Sequence, residues 1–74
     1  MQIKVRLFAT LRNGRGKELF TELGENGTVR DIISLLNIPE SEVAILLING
    51  RDGTLDRSLI ETDVVSIFPP VGGG

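Results

Sequence analysis

Thr28-Val29-Arg30-Asp31-Ile32-Ile33-Ser34-Leu35-Leu36-Asn37-Ile38-Pro39 decides how the rest of the chain is read, because a helical period is clear there. Thr28 suits an N-cap, and Asp31 three positions on makes a weaker form of the capping box. Val29, Ile32, Ile33 and Leu36 fall at i, i+3, i+4 and i+7 and line one apolar face. Asn37 tolerates the left-handed conformation that closes a helix, and Pro39 blocks continuation.

Strand signals lie on either side. Gln2 to Leu7 alternates, with Ile3, Val5 and Leu7 pointing one way and Gln2, Lys4 and Arg6 the other, as in a half-buried strand. Asn13-Gly14, within Arg12-Asn13-Gly14-Arg15-Gly16, is a hairpin-turn signal. A second strand is expected from about Lys17 to Leu23, with Leu19, Thr21 and Leu23 on one face, Phe20 on the other, and Gly24 and Gly27 closing it. Beyond the helix, Pro39-Glu40-Ser41-Glu42 reads as a short turn or 3₁₀ piece. Val43 to Ile48 is apolar throughout, which predicts a central strand covered on both faces. Asn49-Gly50 and Asp52-Gly53 mark two turns that leave room for a short strand near Thr54-Leu55. Asp56 to Asp63 reads as a loop or a single helical turn, and Val64 to Phe68 as a last strand stopped by Pro69-Pro70.

The order β-β-α-β-(β)-β defines an α+β chain: a mixed four- to five-stranded sheet packed on one helix. If the last strand lies beside the first, that pair can be parallel, because the helix lies in the connection between them. This is the β-grasp, or ubiquitin-like, architecture. Residues 1–70 are expected to form that domain and residues 71–74 a flexible C-terminal glycine tail.

Composition narrows the chemistry. The 74 residues include no Cys and no His, which removes disulfides, thiolate nucleophiles, the usual zinc ligands and the commonest general base. Without Trp or Tyr there is little to stack on bases, and a chain of pI ≈ 4.9 repels phosphate overall, so no nucleic-acid partner is expected. Val43 to Ile48 is too short to span a bilayer and Met1-Gln2-Ile3-Lys4 does not read as a signal peptide; the expectation is a cytoplasmic protein with no membrane partner. Charge is uneven: Lys4, Arg6, Arg12, Arg15 and Lys17 are the only charged side chains before residue 18, whereas the rest of the chain is acidic. That pattern fits either a solvated sheet face or a two-signed surface that orients the chain on a partner protein.

Gly14, Gly16 and Lys17 have the wrong spacing for a phosphate loop, and Glu18 stands where a hydroxyl would hold Mg²⁺. Glu40 with Glu42, or Asp52 with Asp56, are the residue types of an acid–base or cation pair, but turn residues beside them favour solvated loops, and no metal site is expected. The end of the sequence differs. Pro69-Pro70 stiffen the exit from the last strand, and Val71 to Gly74 can reach about 13 Å, enough to enter a narrow channel in another protein. Glycine lets backbone approach backbone closely and places no Cβ beside the carboxylate of Gly74. A carboxylate becomes an acyl donor on adenylation, and sulfide transfer onto it gives a nucleophilic thiocarboxylate, so a chain without Cys or His can still carry sulfur.

Phe8-Ala9-Thr10-Leu11-Arg12, Thr28-Val29-Arg30-Asp31, Ile48-Asn49-Gly50-Arg51 and Phe68-Pro69-Pro70-Val71-Gly72-Gly73-Gly74 resemble the MoaD/ThiS family of ubiquitin-like sulfur carriers, end to end. The Phe-Pro-Pro-Val ending and the Phe-Ala-x-Leu-Arg segment look most like the MoaD branch, the small subunit of molybdopterin synthase. Gly72 stands where MoaD tails commonly have Ala, as in ThiS-like members. The resemblance implies a carrier without catalytic side chains of its own. An adenylating enzyme of the ubiquitin-activating type would use ATP to form an acyl-adenylate at Gly74. Sulfide or a cysteine-desulfurase relay would convert it to the thiocarboxylate. In the MoaD-like case the tail would enter the large synthase subunit and give sulfur to a pterin precursor. Gly72 and Gly73 would supply the slim approach, and Phe68, Pro69, Pro70 and Val71 the docking, although Phe68 could equally belong to the core. The chain itself would bind no cofactor; ATP would belong to the partner. The same carrier chemistry could serve thiamin or another sulfur-requiring pathway, and Gly74 could instead form isopeptides as a protein modifier.

Overall fold

In the computed structural model, which describes residues 1–71, the helix forms where its caps predict. It spans Val29–Leu35 (α1), and its capping box is complete: Thr28 Oγ1 accepts from the Asp31 amide while Asp31 Oδ2 accepts from the Thr28 amide. The chain then turns through Asn37 at a φ of 58°. Such a cap contributes about 0.5–2 kcal/mol, which matters for a two-turn helix that is too short to be stable alone.

The strands are Gln2–Leu7 (β1), Glu18–Glu22 (β2), Ile45–Ile48 (β3), Arg51–Asp52 (β4) and Val64–Phe68 (β5), in one sheet of order β2-β1-β5-β3-β4. β1 runs parallel to β5 and the other neighbours are antiparallel, so the first and last strands do lie side by side. This is the β-grasp arrangement. α1 lies in the connection between β2 and β3 and covers one face. Ile3, Val5, Leu7, Val29, Ile32, Val65 and Ile67 are fully enclosed there and form one core with Leu11, Ile33, Ile38 and Leu59.

β1 and β2 pair antiparallel, as the hairpin signal predicts, and their connection also holds a 3₁₀ turn at Ala9–Arg12 ahead of Asn13 and Gly14. Asn13 (φ −61°, ψ 118°) and Gly14 (φ 73°) then make a type II turn, closed by the Arg15 amide on the Arg12 carbonyl at 2.9 Å. The β1–β2 register, Arg6 opposite Glu18, leaves these residues outside the ladder. Two local expectations differ from the structure. β3 is covered on one face only, since a single helix cannot shield both, and Ile45 is 51% exposed; the central strand is β5. The short strand is β4, at Arg51–Asp52, not Thr54-Leu55. Asn49 (φ 56°) and Gly50 (φ 80°) form the tight two-residue turn that brings Arg51 opposite Ile48. Gly53 then packs on Ile48, where a Cβ would come within 2.6 Å of its side chain.

Candidate functional site

The end of β5 builds the candidate site. Val65 and Ile67 point into the core, so Val64, Ser66 and Phe68 face the side of the sheet that α1 does not cover. The parallel register sets Leu7 beside Ile67, which places Phe8, the next residue of the first strand's path, against Phe68. Their rings stack with centroids 4.0 Å apart and planes at 8°. Arg12 lies over the Phe8 ring at 5.3 Å and its Nε donates to the Leu7 carbonyl at 2.8 Å. Phe68 is therefore not a core residue; its parity with Val64 rather than Val65 decides that.

Beyond Phe68 the ladder ends. The Phe68 carbonyl accepts the Ala44 amide at 2.9 Å, and Pro69 and Pro70 have no N–H to continue it. A groove of about 570 Å³ opens at this point, lined by Phe8, Ala9, Thr10, Glu42, Phe68, Pro69, Pro70 and Val71. Val71 is 95% exposed. The structure thus brings Phe68, Pro69, Pro70 and Val71 together. Gly72, Gly73 and Gly74, the acyl-bearing residue of the sequence reading, lie outside the described residues. Sequence reasoning quoted Phe8, Ala9 and Thr10 only as part of a motif and weighed Glu42 only as a partner of Glu40 in an acid–base or cation pair. Parity along β1 and its parallel pairing with β5 carry the signal that sets Phe8 on Phe68.

Among the remaining polar groups, Arg30, Glu40, Asp56 and Arg15 have structural partners. Arg30 binds Asp56 through Nε and Nη2 at 2.8 and 3.2 Å and Glu40 through Nη1 at 2.6 Å, joining the start of α1 to two loops. Its hydrogen bonds hold the Asp56 carboxyl below its ordinary range and raise the guanidinium's own affinity for its proton. Asp56 is thus engaged by Arg30 rather than paired with Asp52 as an acid–base couple. Arg15 donates to the carbonyls of Leu11, Leu36 and Asn37, closing the C-terminal end of the helix, and so belongs to the scaffold rather than to a phosphate loop. Lys4 and Arg6 on the open face share Glu18 at 3.4 and 3.9 Å. Asp63, 3% exposed, was read only as the end of a loop. Burial pushes its carboxyl up, but the Ile60 amide, Asn49 Nδ2 and the charge of Arg57 outweigh that and leave it lowered. Asn49 Oδ1 in turn accepts from the Val64 amide, so the buried Asp63 and the exposed Asn49 together fix where β5 begins. Among the described residues no cluster of metal-ligating side chains occurs, and no helix is long and apolar enough to cross a membrane.

The family model of the ThiS family matches residues 5–74. The chain belongs to the ThiS family. Its relatives are small ubiquitin-like carrier proteins of the ThiS and MoaD kind, and this member is 33% identical to small archaeal modifier protein 3 of Haloferax volcanii across the whole of both chains. Among solved structures, the Pyrococcus furiosus protein assigned as molybdopterin converting factor, subunit 1, is 31% identical over 96% of this chain and 99% of its own, with a TM-score of 0.77. Subunit 1 of the Helicobacter pylori molybdopterin-converting factor, solved with subunit 2, shares the fold over all of both chains at 23% identity and a TM-score of 0.63.

Proposed function

We propose that this ThiS-family protein carries sulfur as a thiocarboxylate on Gly74 and delivers it to molybdopterin synthesis. The observation that carries the reading is that the family match runs through Gly74, continuing from the groove at the end of β5 into the terminal glycines. The carboxylate attacks the α-phosphate of ATP bound by an adenylating enzyme of the ubiquitin-activating type, giving the acyl-adenylate and pyrophosphate. Hydrosulfide then attacks the acyl carbon and expels AMP, leaving the thiocarboxylate. Binding ATP and the sulfur source falls to the partner; this chain contributes the acyl group and the surface that presents it. Phe68, Pro69, Pro70 and Val71 are the docking residues, and Gly72 and Gly73 the slim approach to Gly74, with residues 71–74 acting as a tail on a β-grasp domain of residues 1–70. The acceptor assembly is the large subunit of molybdopterin synthase, a reading supported by the 31% identity to the Pyrococcus protein. No membrane or nucleic-acid partner is invoked, and the chemistry suits the cytoplasm.

A second reading, a ubiquitin-like modifier whose Gly74 forms isopeptides on lysines, is favoured by the whole-length similarity to the Haloferax modifier. Mass spectrometry separates the two. Incubation with the organism's own adenylating enzyme, ATP and a sulfide source is expected to replace one terminal oxygen by sulfur. An unmodified terminus contradicts the carrier reading, and ladders on other proteins in the native host identify the modifier.

A further inference from the structure

We infer that Phe8 is a positioning residue for the reacting terminus: stacked on Phe68, it fixes the line along which Pro69, Pro70 and Val71 leave the sheet. The inference rests on the carrier reading above.

Once the Phe68 carbonyl has taken the Ala44 amide, the prolines offer no donor and the backbone ladder no longer holds the exit. Side chains must set its direction. The ring of Phe68 cannot swing away without breaking a stack at 4.0 Å with nearly parallel planes. Phe8 is held in its turn: its carbonyl accepts the Leu11 amide at 3.2 Å, and Arg12, anchored on the Leu7 carbonyl, lies over its ring. Ala9, the residue after Phe8, is held at a φ of 52°, a backbone region that residues other than glycine rarely adopt, where the 3₁₀ turn that buries Leu11 begins, so the core helps to fix the backbone that carries Phe8. Docking and positioning are then separate tasks: the open face supplies affinity, and the Phe8–Phe68 stack sets the geometry of the acyl group in the partner's site.

The test is steady-state adenylation by the organism's own adenylating enzyme, with the full chain and its Phe8→Leu and Phe8→Tyr variants as protein substrates. Phe8→Leu keeps apolar bulk but loses the flat ring; its kcat is expected to fall about tenfold or more, as misplacement of a reacting group does, with KM nearly unchanged. Phe8→Tyr is expected to restore kcat. Equal kcat for Phe8→Leu and the wild type overturns the inference, as does a loss confined to KM, which would make Phe8 a docking residue. If Phe8→Leu fails to fold, Phe8→Met carries the same comparison. A wild-type chain that is itself inert overturns the carrier reading and the inference together, whereas an active wild type beside an equally active Phe8→Leu removes the inference alone.

Discussion

Toward the helix, the sheet presents Ile3, Val5, Leu7, Ile48, Val65 and Ile67, none more than 2% exposed; away from it, the same strands present Arg6, Phe20, Ile45, Leu47, Ser66 and Phe68, all half-buried or exposed. The first face is closed by α1 and accounts for the fold. The second keeps apolar side chains in water, where they add little to folding and are available to a protein partner. A small domain with one helix has only one face to bury. The other is therefore free to be shaped by function, and both the aromatic stack and the groove lie on it.

Substitutions that exchange the two faces test this division. Ile33→Ala, in the core, is expected to cost about 2–4 kcal/mol and Val5→Ala about 1–3 kcal/mol, measured by chemical denaturation. Ile45→Ala on the open face is expected to change stability by no more than about 0.5 kcal/mol. Equal losses at Ile33 and Ile45 would break the comparison.

A smaller effect sharpens it at the start of β5. Asp63→Asn leaves donors at Ile60 and Asn49 poorly matched and is expected to cost about 1–3 kcal/mol at neutral pH. The wild-type carboxyl is held below its unfolded value of about 3.9. Its contribution is therefore complete above that value and is lost as pH falls through the lower folded value. The gap between wild type and Asp63→Asn should close in acid; a gap independent of pH would deny Asp63 that role. The smallest shift is expected from Arg30→Ala, whose ion pairs with Glu40 and Asp56 are exposed and weakened by salt. A melting change that persists unaltered in high salt would show that Arg30 acts through packing.

Much of this was legible in the chain. The helix announced itself through Thr28, Asp31 and the Val29-Ile32-Ile33 face, and β1 and β5 through alternation, because each depends on local periodicity. Ile45 escaped because an apolar strand reads the same whether one face or both are covered. Asn13-Gly14 marked a turn between β1 and β2, but the 3₁₀ turn at Ala9–Arg12 ahead of it is too short to leave a periodic signal. The short strand was displaced to Thr54-Leu55 because two turn signals, Asn49-Gly50 and Asp52-Gly53, stand side by side and only one closes a hairpin. At the candidate site, the exit of Phe68, Pro69, Pro70 and Val71 from the last strand was readable from sequence. The stack of Phe8 on Phe68 was not, since it joins strands far apart in the chain, and nor was the left-handed Ala9.

The most direct measurement is ATP–pyrophosphate exchange by the organism's own adenylating enzyme, with the intact chain and with a chain lacking Gly74. The intact chain is expected to support exchange and the shortened one to abolish it at an unchanged melting temperature. Equal exchange with both would contradict a reacting group on Gly74.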